Sequence, residues 1–139
     1  MIGLKLFSGL VLIALTFTVG VQCAEERMHA GLWEMTTTVE NETGSLGTTC
    51  YTPAMVMVAN MPEQAMREAT EKMSAKRGCA LKEFKIVGNK LSSVNVCRNS
   101  SSAVTSTYSG DTFDTVDTHT EGGVSKVIRM KGRRVGDCK

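Results

Sequence analysis

Residues 79–97 read CALKEFKIVGNKLSSVNVC, a stretch that begins and ends with a cysteine. Two runs with strand-like patterning flank a turn centred on Gly88, a combination that predicts a β-hairpin. Cys79 and Cys97 lie at equal distances from that turn. In an antiparallel hairpin of this register the two cysteines face each other on one side of the sheet, so we expect a disulfide bond between them.

Three more strands are predicted after the hairpin, at about 103–108, 112–120 and 124–131. The connecting segments Ser109–Asp111 and Glu121–Gly123 are short. Short connections place consecutive strands side by side in antiparallel order. The second half of the chain is therefore predicted to be a meander of five strands.

Two further strands are predicted near the start of the chain. Residues 31–40, GLWEMTTTVE, alternate in polarity, which puts Trp33 and Met35 on one face of a strand. Residues 45–51, SLGTTCY, predict a second strand that carries Cys50.

A helical segment is predicted at about 53–77, between the second strand and the hairpin. Thr52 followed by Pro53 is typical of a helix N-cap with proline at the first helical position. Pro62 starts a second helix, which ends at Gly78 and has an apolar stripe of Met66, Ala69 and Met73. The fold class is therefore α+β: a curved antiparallel sheet of about six to seven strands, with the helical segment inserted after the second strand.

The first 23 residues predict a secretory signal peptide. Lys5 supplies the positive charge, and the apolar run Leu6–Val19 is shorter than the roughly 20 residues that a membrane-spanning helix needs. We expect cleavage after Cys23, with neighbouring positions as alternatives, so that the mature protein begins at Ala24. A lipid-modified Cys23 is a further alternative. Gln22 argues against it, because the residue before such a cysteine is normally small.

Without the signal peptide, residues 24–139 form a single, nearly neutral domain. The chain has 16 Lys and Arg against 14 Asp and Glu, and only Lys5 lies in the signal peptide, so the net charge falls from +2 to +1. A charge this small gives no electrostatic case for nucleic acid or an anionic membrane as a partner.

Four of the five cysteines remain in the mature domain. An even number in an exported chain is typical of disulfide bonds, and the predicted location is periplasmic or secreted. Of the three pairings that four cysteines allow, we favour Cys79 with Cys97, which leaves Cys50 to pair with Cys138. The second bond would hold the end of the chain beside the second strand.

Five stretches stand in a fixed order along the chain: GLWEMTTTV at 31–39, CYTP at 50–53, the hairpin at 79–97, YSGDTF at 108–113 and GRRVGDC at 132–138. Together they resemble the bacterial exported domain-of-unknown-function family 3617. The chain departs from the family at Ala30, where members usually have proline, and it lacks the proline-rich segment that many members carry before Cys50. The resemblance implies a small periplasmic or secreted domain with paired cysteines, and it implies no established activity or catalytic residue.

Methionine is concentrated in the helical segment, at Met55, Met57, Met61, Met66 and Met73. Clusters of exported methionines can hold Cu(I) through their thioethers, but methionine also fills irregular cores. We expect core packing and no cofactor. Trp33, Met35, Met66 and Met73 are candidates for a ligand or core face, and Trp33 is predicted to pack against the helix with its N–H bonded or at the rim.

The histidines and the spaced aspartates are better explained as structural residues than as metal ligands. His29 and His119 lie in separate segments without metal-ligand spacing. Asp111, Asp114 and Asp117 are three residues apart, a spacing that alternates faces on a strand rather than forming a calcium site.

The last predicted strand is basic, with Lys126, Arg129, Lys131, Arg133 and Arg134. A surface for an acidic partner or lipid headgroups is one reading. The reading that we favour is a solvated edge strand that discourages aggregation.

The sequence contains no G-x-S-x-G and no C-x-x-C motif, which disfavours the corresponding nucleophilic and redox chemistry. We therefore expect a non-catalytic binding or interaction module, whose partner is an envelope protein or a hydrophobic ligand. The alternative is a carrier of a hydrophobic small molecule or lipid, held between the curved sheet and the helix. An enzyme is the third hypothesis.

Overall fold

The computed structural model describes residues 26–139. The predicted signal peptide, its cleavage site and Cys23 lie outside these residues. Within them the chain forms seven strands and two helices, in the order β1 (Gly31–Val39), β2 (Glu42–Tyr51), α1 (Pro53–Asn60), α2 (Glu63–Lys76), β3 (Ala80–Val87), β4 (Lys90–Val96), β5 (Ser100–Tyr108), β6 (Thr112–Glu121) and β7 (Val124–Gly136). The predicted α+β class is confirmed, and both helices follow the second strand.

The seven strands form one open antiparallel sheet in the order β2-β1-β7-β6-β5-β4-β3. The basic strand β7 lies between β1 and β6, so the prediction that it is an edge strand was wrong. The reason is that β1 pairs with the end of the chain, a long-range contact that local patterning does not reveal. The true edges are β2 and β3.

The residues at the helix ends form the caps that the sequence predicts. The hydroxyl of Thr52 accepts a hydrogen bond from the amide of Met55 at 3.4 Å, which caps the start of α1. At the end of α2, Gly78 has a φ of 72°, and the amide of Cys79 donates to the carbonyl of Ser74 at 2.9 Å. This Schellman motif ends the helix and directs the chain into β3.

The helices cover one face of the sheet and bury two apolar clusters. The first lies under α1 and comprises Met28, Trp33, Val56 and Phe113. The second lies under α2 and comprises Met66, Phe84 and Leu91. Tyr108 packs against both clusters and joins them.

The buried side of α2 differs from the predicted stripe. Met66 is buried, but Met73 is 53% exposed, and Ser74 is buried instead. The hydroxyl of Ser74 donates to the side-chain oxygen of Asn95 on β4 at 2.6 Å. The helix is therefore turned so that this polar contact, rather than Met73, faces the sheet.

Both predicted disulfide bonds are present. Cys79 and Cys97 close the β3–β4 hairpin across a separation of 18 residues. Cys50 and Cys138 join β2 to the chain end across a separation of 88 residues. Two disulfide bonds fit a protein that folds in an oxidising compartment.

Candidate functional site

A short N-terminal strap, residues 27–30, connects the helices to the sheet. The guanidinium of Arg27 donates to the carbonyl of Ala59 at 2.7 Å and also to that of Met61. It thereby satisfies carbonyls that a helix end leaves without partners. The side-chain amide of Asn60 donates to the Met28 carbonyl at 2.8 Å and accepts from the Met28 amide at 3.0 Å.

The other side of the strap is bound to the turn between β5 and β6. The amide of His29 donates to the carbonyl of Gly110 at 2.9 Å, and the amide of Gly110 donates to the carbonyl of Arg27 at 3.1 Å. The His29 ring lies against Gly110, where a Cβ atom would come within 2.7 Å of it. His29 Nδ1 is 2.9 Å from a carboxylate oxygen of Asp111. The strap therefore fixes the α1–α2 junction relative to the sheet.

A row of aromatic rings crosses the sheet beneath α1. Trp33 lies between Tyr51 and Phe113, with centroid separations of 6.2 and 5.6 Å, and Tyr108 follows Phe113 at 6.3 Å. Trp33 on β1 and Phe113 on β6 are separated by β7, which would hold them about 9–10 Å apart at normal strand spacing. Gly132 of β7 pairs with Phe113, and its missing side chain leaves the space that the Phe113 ring occupies, so that this ring reaches Trp33.

Helix α1 is apolar on its solvent side as well as its buried side. Val56 is buried against the aromatic row. Met55, Met57 and Val58 are 50%, 57% and 44% exposed, and no residue of the helix is charged. A helix that is apolar all round is typical of a buried element, so its solvent exposure here is unusual.

A groove of about 310 Å³ lies between α1, α2 and the sheet. We call it the methionine groove. Met55, Val58, Met66, Thr70, Tyr108 and Phe113 are among its lining residues. It is an open groove and not an enclosed cavity, because Met55 and Val58 are both about half exposed.

The opposite, outer face of the sheet is polar. It has a pocket of about 510 Å³ with charged side chains at its rim. Arg133 donates to Glu34 at 2.9 Å, and the Lys131 ammonium is 3.6 Å from the Asp114 carboxylate. The other carboxylate oxygen of Asp114 is buried without a hydrogen-bond partner among residues 26–139.

A family model with the description "Protein of unknown function (DUF3617)" matches residues 28–138. The chain belongs to this family. The DUF3617 match begins at Met28 and ends at Cys138, so it includes both disulfide bonds and every residue named above as lining the methionine groove. No curated protein and no solved structure matches the chain.

The five basic residues of the last strand do not form one surface in this DUF3617 protein. Arg129, Lys131 and Arg133 follow the outer face at every second position, whereas Lys126 and Arg134 pair with residues of the helix-covered face. Lys131 and Arg133 have the acidic partners described above. Lys126 lies 3.9 Å from Glu40, and Arg134 contacts Asp111 and Asp137.

The predicted methionine cluster is divided among several environments. Met55 and Met66 line the methionine groove, and Met57 lines a hollow on the other side of α1. Met73 is exposed on α2. Core packing therefore accounts for Met66 and for Met61, which packs against the second cluster, but leaves three methionines half exposed.

The two histidines are separated from each other, and Asp111, Asp114 and Asp117 lie in different environments, with His29 in contact with Asp111. His29 is in the strap and His119 is on β6, Asp114 lies on the outer face, and Asp117 accepts a hydrogen bond from Ser102. Within residues 26–139, no three His, Cys, Asp or Glu side chains are arranged to hold a metal ion. No helix in the same range is long and apolar enough to cross a membrane.

Pattern analysis of the sequence missed the strap and Gly132. The strap has no repeating pattern of apolar residues, because it is held by backbone and side-chain hydrogen bonds rather than by an amphipathic face. Gly132 could have been identified from the sequence, because it is a glycine in the continuation of the last predicted strand. A glycine inside a predicted strand often marks the close approach of another group, which here is the ring of Phe113.

Proposed function

We propose that this DUF3617 protein is a non-catalytic, exported binding protein that takes a small apolar molecule in the methionine groove. The observation that carries the proposal is the pairing of half-exposed Met55 and Val58 with a floor that includes buried Met66 and Phe113. The groove volume of about 310 Å³ lies at the lower end of the range of about 300–1,000 Å³ found for ligand pockets.

The two threonine hydroxyls in the groove already have internal partners. The Thr70 hydroxyl donates to the Met66 carbonyl at 2.8 Å, and the Thr115 hydroxyl is paired with that of Ser106 at 2.8 Å. The lining therefore offers mainly apolar contact to a ligand. Methionine side chains adapt to different shapes, so the groove suits a flexible, chain-like ligand.

An exported location supports the same proposal. A chain with two disulfide bonds is expected in the periplasm or outside the cell, and the predicted signal peptide would deliver it there. In such a compartment a small apolar compound needs a protein surface to shield it from water.

The test is to measure the binding of a fluorescent fatty acid to the protein that begins at Ala24. We expect Met55→Asp to weaken binding by about tenfold or more, because a charge would replace an apolar contact. Met73→Asp is the matched control, since Met73 is equally exposed but outside the groove. Absence of binding by the unaltered protein, or equal loss in both variants, would contradict the proposal.

A protein-interaction module is the second candidate, and the pocket on the outer face favours it. The charged pairs Arg133–Glu34 and Lys131–Asp114 at its rim would offer polar contacts to a partner's side chains. Capture of one stable protein that is lost on Arg133→Glu, with fatty-acid binding unchanged, would support this role over the carrier.

A further inference from the structure

Two threonines and two tyrosines bring hydroxyl groups to the lining of the methionine groove. Both threonine hydroxyls have the internal partners described above. The hydroxyl of Tyr51 donates to the Sδ atom of Met35 at 3.5 Å. Tyr108 is the exception, because its hydroxyl has no hydrogen-bond partner among residues 26–139 and is not closed off from solvent. The groove therefore contains a polar group that the protein itself does not use.

Tyr108 stands at the end of the aromatic row that is nearer α2. The centroid of its ring lies 6.3 Å from that of Phe113, and the ring packs against the cluster under α2 as well as the cluster under α1. Tyr51, at the other end of the row, packs against the cluster under α1 and not against the other. The unused hydroxyl therefore marks the α2 side of the groove, whereas half-exposed Met55 and Val58 mark the α1 side.

The groove can recognise a molecule only by apolar contact and by hydrogen bonds, because no charged side chain within residues 26–139 lines it. A phenol hydroxyl donates one hydrogen bond, and a donor that is covered without a partner destabilises the complex. A plain hydrocarbon would cover the Tyr108 hydroxyl without supplying an acceptor. A chain with an oxygen acceptor at one end avoids this loss.

We propose that the Tyr108 hydroxyl donates a hydrogen bond to the head-group oxygen of a single-chain amphiphile such as a fatty acid, whose chain lies along Met55 and Val58. A carboxylate oxygen forms the stronger bond of this kind because it is charged. The groove is open, so this carboxylate keeps its contact with water and does not need a cation beside it. The assignment of this head group rests on the proposed binding in the methionine groove, to which it adds the chemical class and the orientation of the ligand.

The experiment measures the binding of two probes to the protein that begins at Ala24. One is a fluorescent fatty acid, and the other is the apolar fluorophore N-phenyl-1-naphthylamine, which has no oxygen atom. We expect Tyr108→Phe to weaken binding of the fatty acid about tenfold, because a hydrogen bond to a charged group is lost, and to leave binding of the fluorophore unchanged. The substitution keeps the ring that packs against both clusters, and an unchanged thermal unfolding transition would show that the variant keeps its fold.

Tyr51→Phe is the matched control, because it removes the tyrosine hydroxyl that already bonds to Met35, and it is expected to leave binding of both probes unchanged. Full fatty-acid binding by Tyr108→Phe, an equal loss of both probes in that variant, or an equal loss of the fatty acid in the two variants would overturn the assignment of the head group to Tyr108. An unaltered protein that binds neither probe would instead overturn the proposed function.

Discussion

Trp33 is held by groups that come from four separate parts of the chain. Its ring packs with Val56 of α1, Tyr51 of β2 and Phe113 of β6. Its N–H donates to the His29 carbonyl at 3.0 Å. The prediction of a buried Trp33 with a bonded N–H is confirmed, but the helix that covers it is α1. The spacing of Met66 and Met73 could not show this, because it reports the periodicity of a helix and not the strand against which that helix packs.

Trp33→Ala is expected to lower the free energy of unfolding by about 3–5 kcal/mol, as large-to-small changes in packed cores do. Trp33 is 0% exposed, so the substitution leaves a cavity. Denaturant unfolding followed by circular dichroism measures the change. Leu46→Ala is the control, because Leu46 lies on the neighbouring strand with 48% exposure and its loss is expected to cost under about 0.5 kcal/mol. A loss below about 1 kcal/mol for Trp33→Ala would reject its role in the core.

At the scale of elements, the helices and most strands could be predicted because each has its own local signal. The caps of α1 and α2 and the turn at Gly88 are examples of such signals. Strand ends were less well predicted: β5 begins at Ser100 rather than about 103, and β7 continues to Gly136 rather than about 131. These extra residues pair with neighbouring strands, and pairing of this kind has no local pattern.

Asn60→Ala tests whether the strap holds the helices to the sheet. The change removes both hydrogen bonds to Met28, which is only 6% exposed, and leaves its backbone groups without partners. We expect a loss of about 1–3 kcal/mol and faster hydrogen exchange at the His29 and Gly110 amides. Asn99→Ala, at an exposed asparagine, should change neither quantity. Unchanged exchange in the Asn60 variant would show that the strap is held by other contacts.

At the scale of the whole molecule, the sequence predicted the disulfide bonds and the α+β class but not the sheet order. The hairpin fixed one cysteine pair and left the other by elimination. No comparable argument places β7 beside β1, because their pairing joins Leu32 to Gly136 and depends on the complete sheet. The candidate site was predicted only in part: Met66 was identified as a core residue, whereas the groove depends on the positions of α1, α2 and the strap together.

The two disulfide bonds should differ in their contributions to stability. In the chain-entropy model, the bond that closes 88 residues contributes about 4.6 kcal/mol and the bond that closes 18 residues about 3 kcal/mol. We therefore expect Cys50→Ser with Cys138→Ser to lower the free energy of unfolding by about 1–2 kcal/mol more than Cys79→Ser with Cys97→Ser. Denaturant unfolding of the two double variants measures this difference, and the reverse order would contradict the model.

The central position of β7 has a consequence for the time course of folding. A chain is synthesised from its N-terminus, so β1 has no partner on one side until the last residues have been made. The β3–β4 hairpin and its disulfide can form early, whereas Cys50 must wait for Cys138. Long-range pairing of this kind makes folding slow. We therefore expect β1–β2 and β3–β6 to join into one sheet only when β7 has paired with both of its neighbours.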